Sequence, residues 1–319
     1  MKKSKKNTDT KQKLSNNLKN ISEATKKASV HYQDIWSNPS KINRSGDDLL
    51  LGWHLGFYEK GIKNMKEAMK NMNSYLNRIL VSDKNNYSNI LDAGCGIGAT
   101  LLFNAEKNPD IFFYGIALGH SEIAWAKKIQ KEKNIKNAKF MVKSFLSTDF
   151  PKNFFDAIYA LESVSTSDRK EEFLREMKKI LKPGGKLIII DMFRQNESFD
   201  SFINGLHHEF FKKLEYPFQD TTIKTFNTYL KNEGFKEIKI KDIMKSGNVK
   251  YLELYVFLLV SIFQNCYKNI LSLYYDDKNK SNKNPKLLKI KSIIKMTFEG
   301  ILLFFTKTSY FSITAIKEK

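Results

Sequence analysis

The fold of this chain is set by one stretch, Asn89-Ile90-Leu91-Asp92-Ala93-Gly94-Cys95-Gly96-Ile97-Gly98. Its first four residues predict a short buried strand, and its three glycines predict a tight turn into a helix. Glycine lets the backbone bend sharply and approach a ligand without a Cβ clash. The stretch alone leaves the ligand open, because Gly94 to Ala99 also satisfies the G-x-G-x-x-A pattern of dinucleotide-binding turns.

Strand-like and helix-like segments alternate after this turn. Strands are expected at residues 112–116, 139–142, 155–159 and 186–191, with helices at 122–133 and 173–181. Such alternation predicts a parallel sheet with helices on both faces. Ahead of the turn, apolar side chains recur at three- and four-residue steps and predict a helix with one buried face. They are Met65, Met69, Met72, Leu76, Ile79 and Leu80.

Four regions are predicted along the chain. Residues 1–30 form a disordered basic tail, 31–83 a helical lid, 84–195 the ligand-binding core, and 196–319 a helical cap with the final strands. Residues 1–27 hold nine Lys against Asp9 and Glu23. No apolar run follows them, so this segment is not expected to be a secretory signal.

Composition narrows the class of protein. A hydrophobic content of 41% supports a real core, and two cysteines cannot build a disulfide framework, so a reducing, cytoplasmic compartment is expected. No apolar stretch reaches the ~18–20 residues of a membrane span. The net charge of +20 allows nucleic acid, an anionic membrane or an anionic small molecule as partner, or reflects a Lys-biased composition alone.

Three motifs decide between the ligands. Asp92 ends the strand before the turn, where a carboxylate meets the ammonium of a methionyl group but repels a pyrophosphate. Residues 181–186, Leu-Lys-Pro-Gly-Gly-Lys, precede the fifth strand, and Phe154-Phe155-Asp156-Ala157-Ile158 enters the fourth. Over residues 88–195 the chain resembles the class I, Rossmann-like S-adenosylmethionine (SAM) methyltransferases. The resemblance implies a seven-stranded, mostly parallel α/β sheet whose reversed final strand is Tyr310–Ile316.

The second strand departs from most of that superfamily. It ends in Gly115-Ile116-Ala117-Leu118-Gly119, without the usual ribose-binding acid. This end is similar to a small-molecule branch that includes tocopherol, sterol, cyclopropane-lipid and geranyl-diphosphate enzymes. There Ala117 stands at a Thr position and Glu122 at a Gln position, so Glu122 is expected on the ribose unless it is a solvated helix residue. The predicted SAM-binding residues are Asp92, Gly94, Gly96, Gly98, Ala117, Glu122, Ser144 and Phe145.

Ser144 and Phe145 follow the third strand, where the resemblance places adenine. The usual acid is missing there, and Phe145 is equally well explained as a core side chain. Neither residue pattern nor spacing settles which of the two applies.

Catalytic candidates come from the exit of the fourth strand and from the lid. Glu162 follows the strand, and ligands of open α/β sheets bind beyond the carboxyl ends of strands. In the geranyl-diphosphate enzymes a Glu-Ser pair stands here and its Glu accepts a proton, which is the role expected of Glu162; polar lining or capping by Ser163 is the alternative. Tyr32 and His54 lie in segments similar to that branch's lid, although a lone His is more often structural.

The acceptor is expected to be lipophilic, of isoprenoid, sterol or quinone type, and methylated at carbon. Apolar runs at residues 251–260 and 301–305 predict an apolar cap over the acceptor. Seven lysines between 278 and 295 suit the binding of an anionic lipid or a diphosphate. Mg2+ is expected only if the acceptor is a diphosphate, and no structural metal site is predicted. An oligomer is left open.

Other functions stay open. O- or N-methylation of a natural product is the near alternative. A nicotinamide dehydrogenase would need a ribose-binding acid at Ala117, and an RNA methyltransferase would need an RNA-binding module that the sequence does not show. Specific nucleic-acid binding is therefore not expected.

Overall fold

The computed structural model of the 319-residue chain describes residues 54–82, 87–195, 221–249 and 308–319. Several predictions about sequence segments lie outside those residues: the tail 1–30, Tyr32 and most of the lid, and the apolar runs 251–260 and 301–305 of the cap with the lysines at 278–295. The four-region division therefore stays a prediction. None of the helices among the described residues is long and apolar enough to cross a membrane.

Seven strands form one sheet in the described part of the chain. They are β1 Asn89–Ala93, β2 Phe112–Ala117, β3 Ala138–Val142, β4 Phe155–Leu161, β5 Leu181–Arg194, β6 Phe235–Asp242 and β7 Thr308–Lys317. Their order is β3-β2-β1-β4-β5-β7-β6. Pairing is parallel from β3 through β5, and β7 runs antiparallel to both β5 and β6. The predicted seven-stranded sheet with a reversed final strand is confirmed.

Five helices accompany these strands. They are α1 Met65–Leu80, α2 Ala99–Lys107, α3 His120–Glu132, α4 Lys170–Ile180 and α5 Ile223–Asn232. The predicted apolar face of α1 is buried except at Ile79, which is partly buried, and at its first residue, Met65, which is 37% exposed. Asn64 caps this helix by accepting from the N–H of Glu67 at 2.9 Å, which satisfies one of the free N–H groups of the first turn.

Two hydrophobic cores lie on opposite faces of the sheet. Successive residues of β5 alternate between them, with Ile188 and Ile190 in one and Leu187 and Ile189 in the other. The first core holds α1, α2 and α3, and the second holds α4 and α5. This alternation follows from the two-residue period of a strand and confirms the expected helices on both faces.

Chain order reverses at β1 in this sheet. The chain runs outward from β1 to β2 and β3 and then returns to β4 on the other side. The carboxyl ends of β1, β2 and β4 therefore meet at a switch point, which is where open α/β sheets bind ligands.

Candidate active site

The glycine loop between β1 and α2 follows the backbone that its sequence predicts. Gly94, Gly96 and Gly98 have φ of +99°, +50° and +78°, in or near the left-handed region that side-chain-bearing residues disfavour. A Cβ on Gly98 would lie 2.5 Å from a ring carbon of Phe140, whereas one on Gly96 would meet, among the described residues, only Glu122 Oε1, at 3.8 Å. Gly98 thus serves packing, while Gly96 faces a space that a ligand can approach.

Two contacts fix this loop to the neighbouring strands. The N–H groups of Gly94 and Cys95 both donate to the carbonyl of Ile116 on β2, at 2.9 Å each. On the other side, the Ser163 hydroxyl donates to the carbonyl of Ala93 at 2.6 Å. A Cβ on Gly94 would lie 2.3 Å from the Cβ of Ser163, so this close approach requires glycine. Ser163 therefore joins the loop to the end of β4 by a hydrogen bond, a role that its sequence position did not indicate.

Glu122 lies at the start of α3, beside the glycine loop. Its side chain is 8% exposed, and its carboxylate accepts from the N–H of Gly119 at 3.1 Å. Burial raises the pKa of Glu122 to about 7, although the Gly119 hydrogen bond lowers it. The residue is thus not a solvated helix glutamate. Its carboxylate faces Gly96 across the space that the loop leaves open.

Asp92 is the residue before last of β1, just ahead of the same loop. It is 3% exposed, and burial raises its pKa to about 7. Burial, together with the charges of Asp92 and Glu122, also raises the pKa of the intervening Cys95 thiol well above its usual value. The carboxyl groups of Asp92 and Glu122 thus both lie close to the same short loop.

The remaining predicted SAM-binding residues lie at the ends of β2 and β3. Ala117 is the last residue of β2, and its carbonyl accepts from the N–H of Lys143 at 3.0 Å. Ser144 is buried, and its hydroxyl accepts from the N–H of Leu146 at 3.1 Å. Phe145 meets Phe173 of α4 edge-on, with ring centroids 5.2 Å apart. Its ring thus packs in the core of the α4 face, as the alternative assignment of Phe145 expected.

Glu162 directly follows β4 and has a strained backbone. Its φ is +49°, an unusual value for a residue with a side chain. Oε1 accepts two hydrogen bonds of 2.6 Å, from the N–H of Leu55 and from the hydroxyl of Tyr310. Burial raises its pKa to about 8, the Tyr310 and Leu55 hydrogen bonds lower it, and the charge of Asp191 raises it. The turn thus holds a half-buried carboxyl group that readily gains a proton.

His54 has protein partners at both ring nitrogens. Nδ1 lies 3.0 Å from the carbonyl oxygen of Leu55, and Nε2 lies 3.1 Å from Oδ1 of Asn73 on α1. The ring therefore fixes the segment whose Leu55 N–H binds Glu162. This arrangement favours a structural role for His54 beside Glu162, and its predicted catalytic role stays a prediction.

Two contributors to the site carry no motif in the sequence. Asn73 accepts from the Thr100 hydroxyl at 2.8 Å and also contacts His54, so it joins α1 to α2 and to the lid segment. Tyr310 is fully buried on β7 and contacts Glu162 from almost 150 residues away in sequence. A strand pattern around Tyr310 could be recognised, but its partner could not.

The site fits SAM by space and by charge. Gly96 leaves the approach open, and the carboxyl groups of Asp92, Glu122 and Glu162 all have raised pKa values. A bound cation favours the ionised form of nearby carboxyl groups, and carboxylates accept hydrogen bonds from hydroxyls. SAM offers a sulfonium, an ammonium and ribose hydroxyls, which match this set of acceptors.

One protein-family model matches this chain over residues 84–250, and its description is a methyltransferase domain. That range is just over half of the 319 residues. It begins where the ligand-binding core was expected to begin, and it contains every described site residue except His54, Leu55, Asn73 and Tyr310.

Two relatives that are similar to this chain in sequence are named as methyltransferases. Phosphoethanolamine N-methyltransferase 3 of Arabidopsis thaliana is 31% identical over 48% of this chain and 30% of its own length. Sterol 4-C-methyltransferase strm-1 of Caenorhabditis elegans is 27% identical over 48% of this chain and 45% of its own length. The chain thus spans less than half the length of either relative.

A solved structure matches almost the whole chain. Geranyl diphosphate C-methyltransferase of Streptomyces coelicolor A3(2), in complex with Mg2+, geranyl diphosphate and S-adenosyl-L-homocysteine, covers 93% of this chain and 99% of its own. Its TM-score is 0.58 at 13% identity. At that identity the likeness shows a shared fold and not a shared substrate.

Proposed function

Because the chain belongs to the methyltransferase domain family, we propose that it transfers the methyl group of SAM to a small lipophilic acceptor. The observation that carries this proposal is the glycine loop at the switch point of the sheet, where the backbone takes positive φ values and the buried carboxyl groups of Asp92 and Glu122 lie close to Cys95. Such groups are costly to bury and are retained where a cationic ligand is bound.

In this proposal the loop and its carboxyl groups hold the cofactor. Asp92 takes the ammonium, Glu122 takes the ribose hydroxyls, and Gly96 allows the backbone to approach. Ala117, Ser144 and the backbone of Phe145 line the remaining part. SAM supplies an activated methyl group when it is bound, and alignment with the acceptor does most of the catalytic work.

Glu162 is the proposed proton acceptor. A carbon, nitrogen or oxygen that gains a methyl group must lose a proton, and a carboxylate at the strand exit can take it. Its folded-state pKa of about 8 makes it a stronger base than an ordinary glutamate.

A Glu162→Gln variant tests this role. We expect SAM affinity by calorimetry to be retained, and methyl transfer from labelled SAM to lipid extracts to fall by about a hundredfold or more. Glu171→Gln, an exposed substitution in the first turn of α4, is the matched control and should keep full activity. Full activity in Glu162→Gln would refute the role.

C-methylation of an isoprenoid or sterol is the proposed reaction. It is supported by the sterol 4-C-methyltransferase among the relatives and by the geranyl diphosphate enzyme among the folds. N-methylation is the second candidate, because the Arabidopsis relative is a phosphoethanolamine N-methyltransferase. Mass spectrometry of lipid extracts and of phosphoethanolamine incubated with labelled SAM separates the two. Mg2+ is needed only if the product is a diphosphate.

A further inference from the structure

The last strand of the sheet brings one side chain to Glu162. Tyr310 lies on β7 between β5 and β6, is 0% exposed, and donates its hydroxyl to Glu162 Oε1 at 2.6 Å. The N–H of Leu55, from the segment before α1, donates to the same oxygen at 2.6 Å. Groups from near the two ends of the described chain thus meet on one carboxylate oxygen.

Both hydrogen bonds of the Glu162 carboxyl group to described residues involve Oε1. Two fixed donors on one oxygen remove the rotation of the group about its last bond. The orientation of the second oxygen is therefore set by its surroundings before any acceptor arrives.

We propose that Tyr310 is a positioning residue, which together with the Leu55 N–H holds Oε1 so that Oε2 is the oxygen that meets the methyl acceptor. This inference rests on the proposed function of Glu162. In the step, the acceptor's proton forms a bond to Oε2. The electron pair of its former bond stays on the acceptor, so the methylated product and a neutral carboxyl group result.

Besides burial, which raises the pKa of Glu162, three neighbouring groups shift that pKa, and Tyr310 is one of them. Tyr310 from β7 lowers the pKa of Glu162, Leu55 from the lid segment lowers it, and Asp191 from β5 raises it. The Tyr310 hydroxyl is itself held neutral, because burial and then the charges of Glu162 and Asp191 raise its pKa well above its usual value. A neutral hydroxyl is a donor throughout the working pH range.

A Tyr310→Phe variant removes the donor and keeps the ring. Ser309→Ala is the matched control, because Ser309 is also buried on β7 and donates to a carboxylate, Asp242 Oδ1, at 2.6 Å. Both variants lose a buried hydroxyl hydrogen bond of the same strand, and only one loses a contact with Glu162. Equal losses of melting temperature are expected, so folding alone cannot separate them.

The pKa of Glu162 is the first readout. In protein with 13C-labelled glutamate carboxyls, the Glu162 signal is identified by its absence from Glu162→Gln. We expect its titration to move upward by about one pH unit in Tyr310→Phe, because a donor to the ionised form is lost, and to stay unchanged in Ser309→Ala. An unchanged titration in Tyr310→Phe overturns the proposal.

Methyl transfer is the second readout. With labelled SAM and lipid extract, Tyr310→Phe should lose about tenfold or more in kcat while KM and SAM affinity by calorimetry stay unchanged. The acidic limb of its pH–rate profile, along which the proton acceptor loses its proton, should move upward with the shifted titration. A kcat equal to that of Ser309→Ala overturns the positioning role. Full activity in Glu162→Gln overturns the proton acceptor itself, so the two failures are read from different variants.

Discussion

Two glutamates of the site, Glu122 and Glu162, have raised pKa values. Glu122 lies in the first turn of α3 and Glu162 directly follows β4, and in both burial raises the pKa, to about 7 and about 8. They differ in their donors, since Glu122 accepts from Gly119 of its own helix start and Glu162 accepts from distant segments. This difference in donors is why we propose Glu122 as a ligand-binding group and Glu162 as the proton acceptor.

Glu122→Gln tests cofactor binding at the residue scale. Glutamine keeps an acceptor for the Gly119 N–H but loses the charge, so SAM affinity measured by calorimetry should fall about tenfold to a hundredfold, the value of a charge-assisted hydrogen bond. Glu132→Gln on the same helix is the control, because Glu132 is exposed and pairs with Lys128 only at 3.9 Å. Unchanged affinity in Glu122→Gln would remove Glu122 from the ribose site.

Elements of the fold set the position of these residues through their ends. The glycine loop holds because β1, β2 and β4 end at one edge, where Ile116 and Ser163 anchor it from two sides. The segment before α1 is fixed in a similar way: the Tyr58 N–H donates to the Asn248 carbonyl at 2.6 Å, and the Asn248 side chain donates back to the Tyr58 carbonyl at 2.7 Å. Hydrogen bonds to strand ends and to a neighbouring loop thus fix these short segments.

Gly98→Ala tests the loop at the element scale. The new methyl group would meet the Phe140 ring at 2.5 Å at a φ of +78°, so the free energy of unfolding in urea should fall by roughly 2–5 kcal/mol from strain and overpacking. Gly247→Ala has the same φ of +78° with nothing within 4 Å, and should lose only about 1–2 kcal/mol. Equal losses would show that the Phe140 contact is unimportant.

The whole molecule places an acidic site in a basic protein. Its formal net charge is +20, while the edge of the sheet that forms the site presents Asp92, Glu122 and Glu162. Holding three carboxyl groups with raised pKa values makes folding less favourable where they would otherwise ionise. The unliganded fold therefore gives up stability for a site that suits a cation.

Stability against pH tests this trade at the whole-molecule scale. Because the folded-state pKa of Glu122 is raised from 4.5 to about 7, its contribution is fully present below pH 4.5 and is lost as pH rises through 7. Glu122→Gln should therefore match wild type in urea unfolding at pH 4 and exceed it by up to about 3 kcal/mol at pH 8.5. The same difference at both pH values would contradict the raised pKa.

Most of the sheet and the loop could be predicted from local pattern. Apolar runs of strand length, the glycine spacing and the Pro-Gly-Gly turn each depend on neighbours within a few residues, and they gave the right strands and the right edge. Strand β5 begins at Leu181, ahead of the expected 186, because Leu181 already pairs with Phe155 of β4 before a register shift, after which pairing resumes at Lys186. Such a boundary depends on the partner strand and not on the segment itself.

The sequence by itself determined the strands and the glycine loop, since backbone preference and side-chain period act over short distances. Asp92 and Glu162 became candidates by their places at strand ends, and Glu122 by the resemblance to the small-molecule methyltransferases. Only the tertiary structure decided that Phe145 packs against Phe173, that both His54 nitrogens are bonded, and that Tyr310 and Leu55 meet on one oxygen of Glu162. Those contacts join segments far apart in the chain. Which of them meet is fixed by strand order and register, and neither can be read from any one segment.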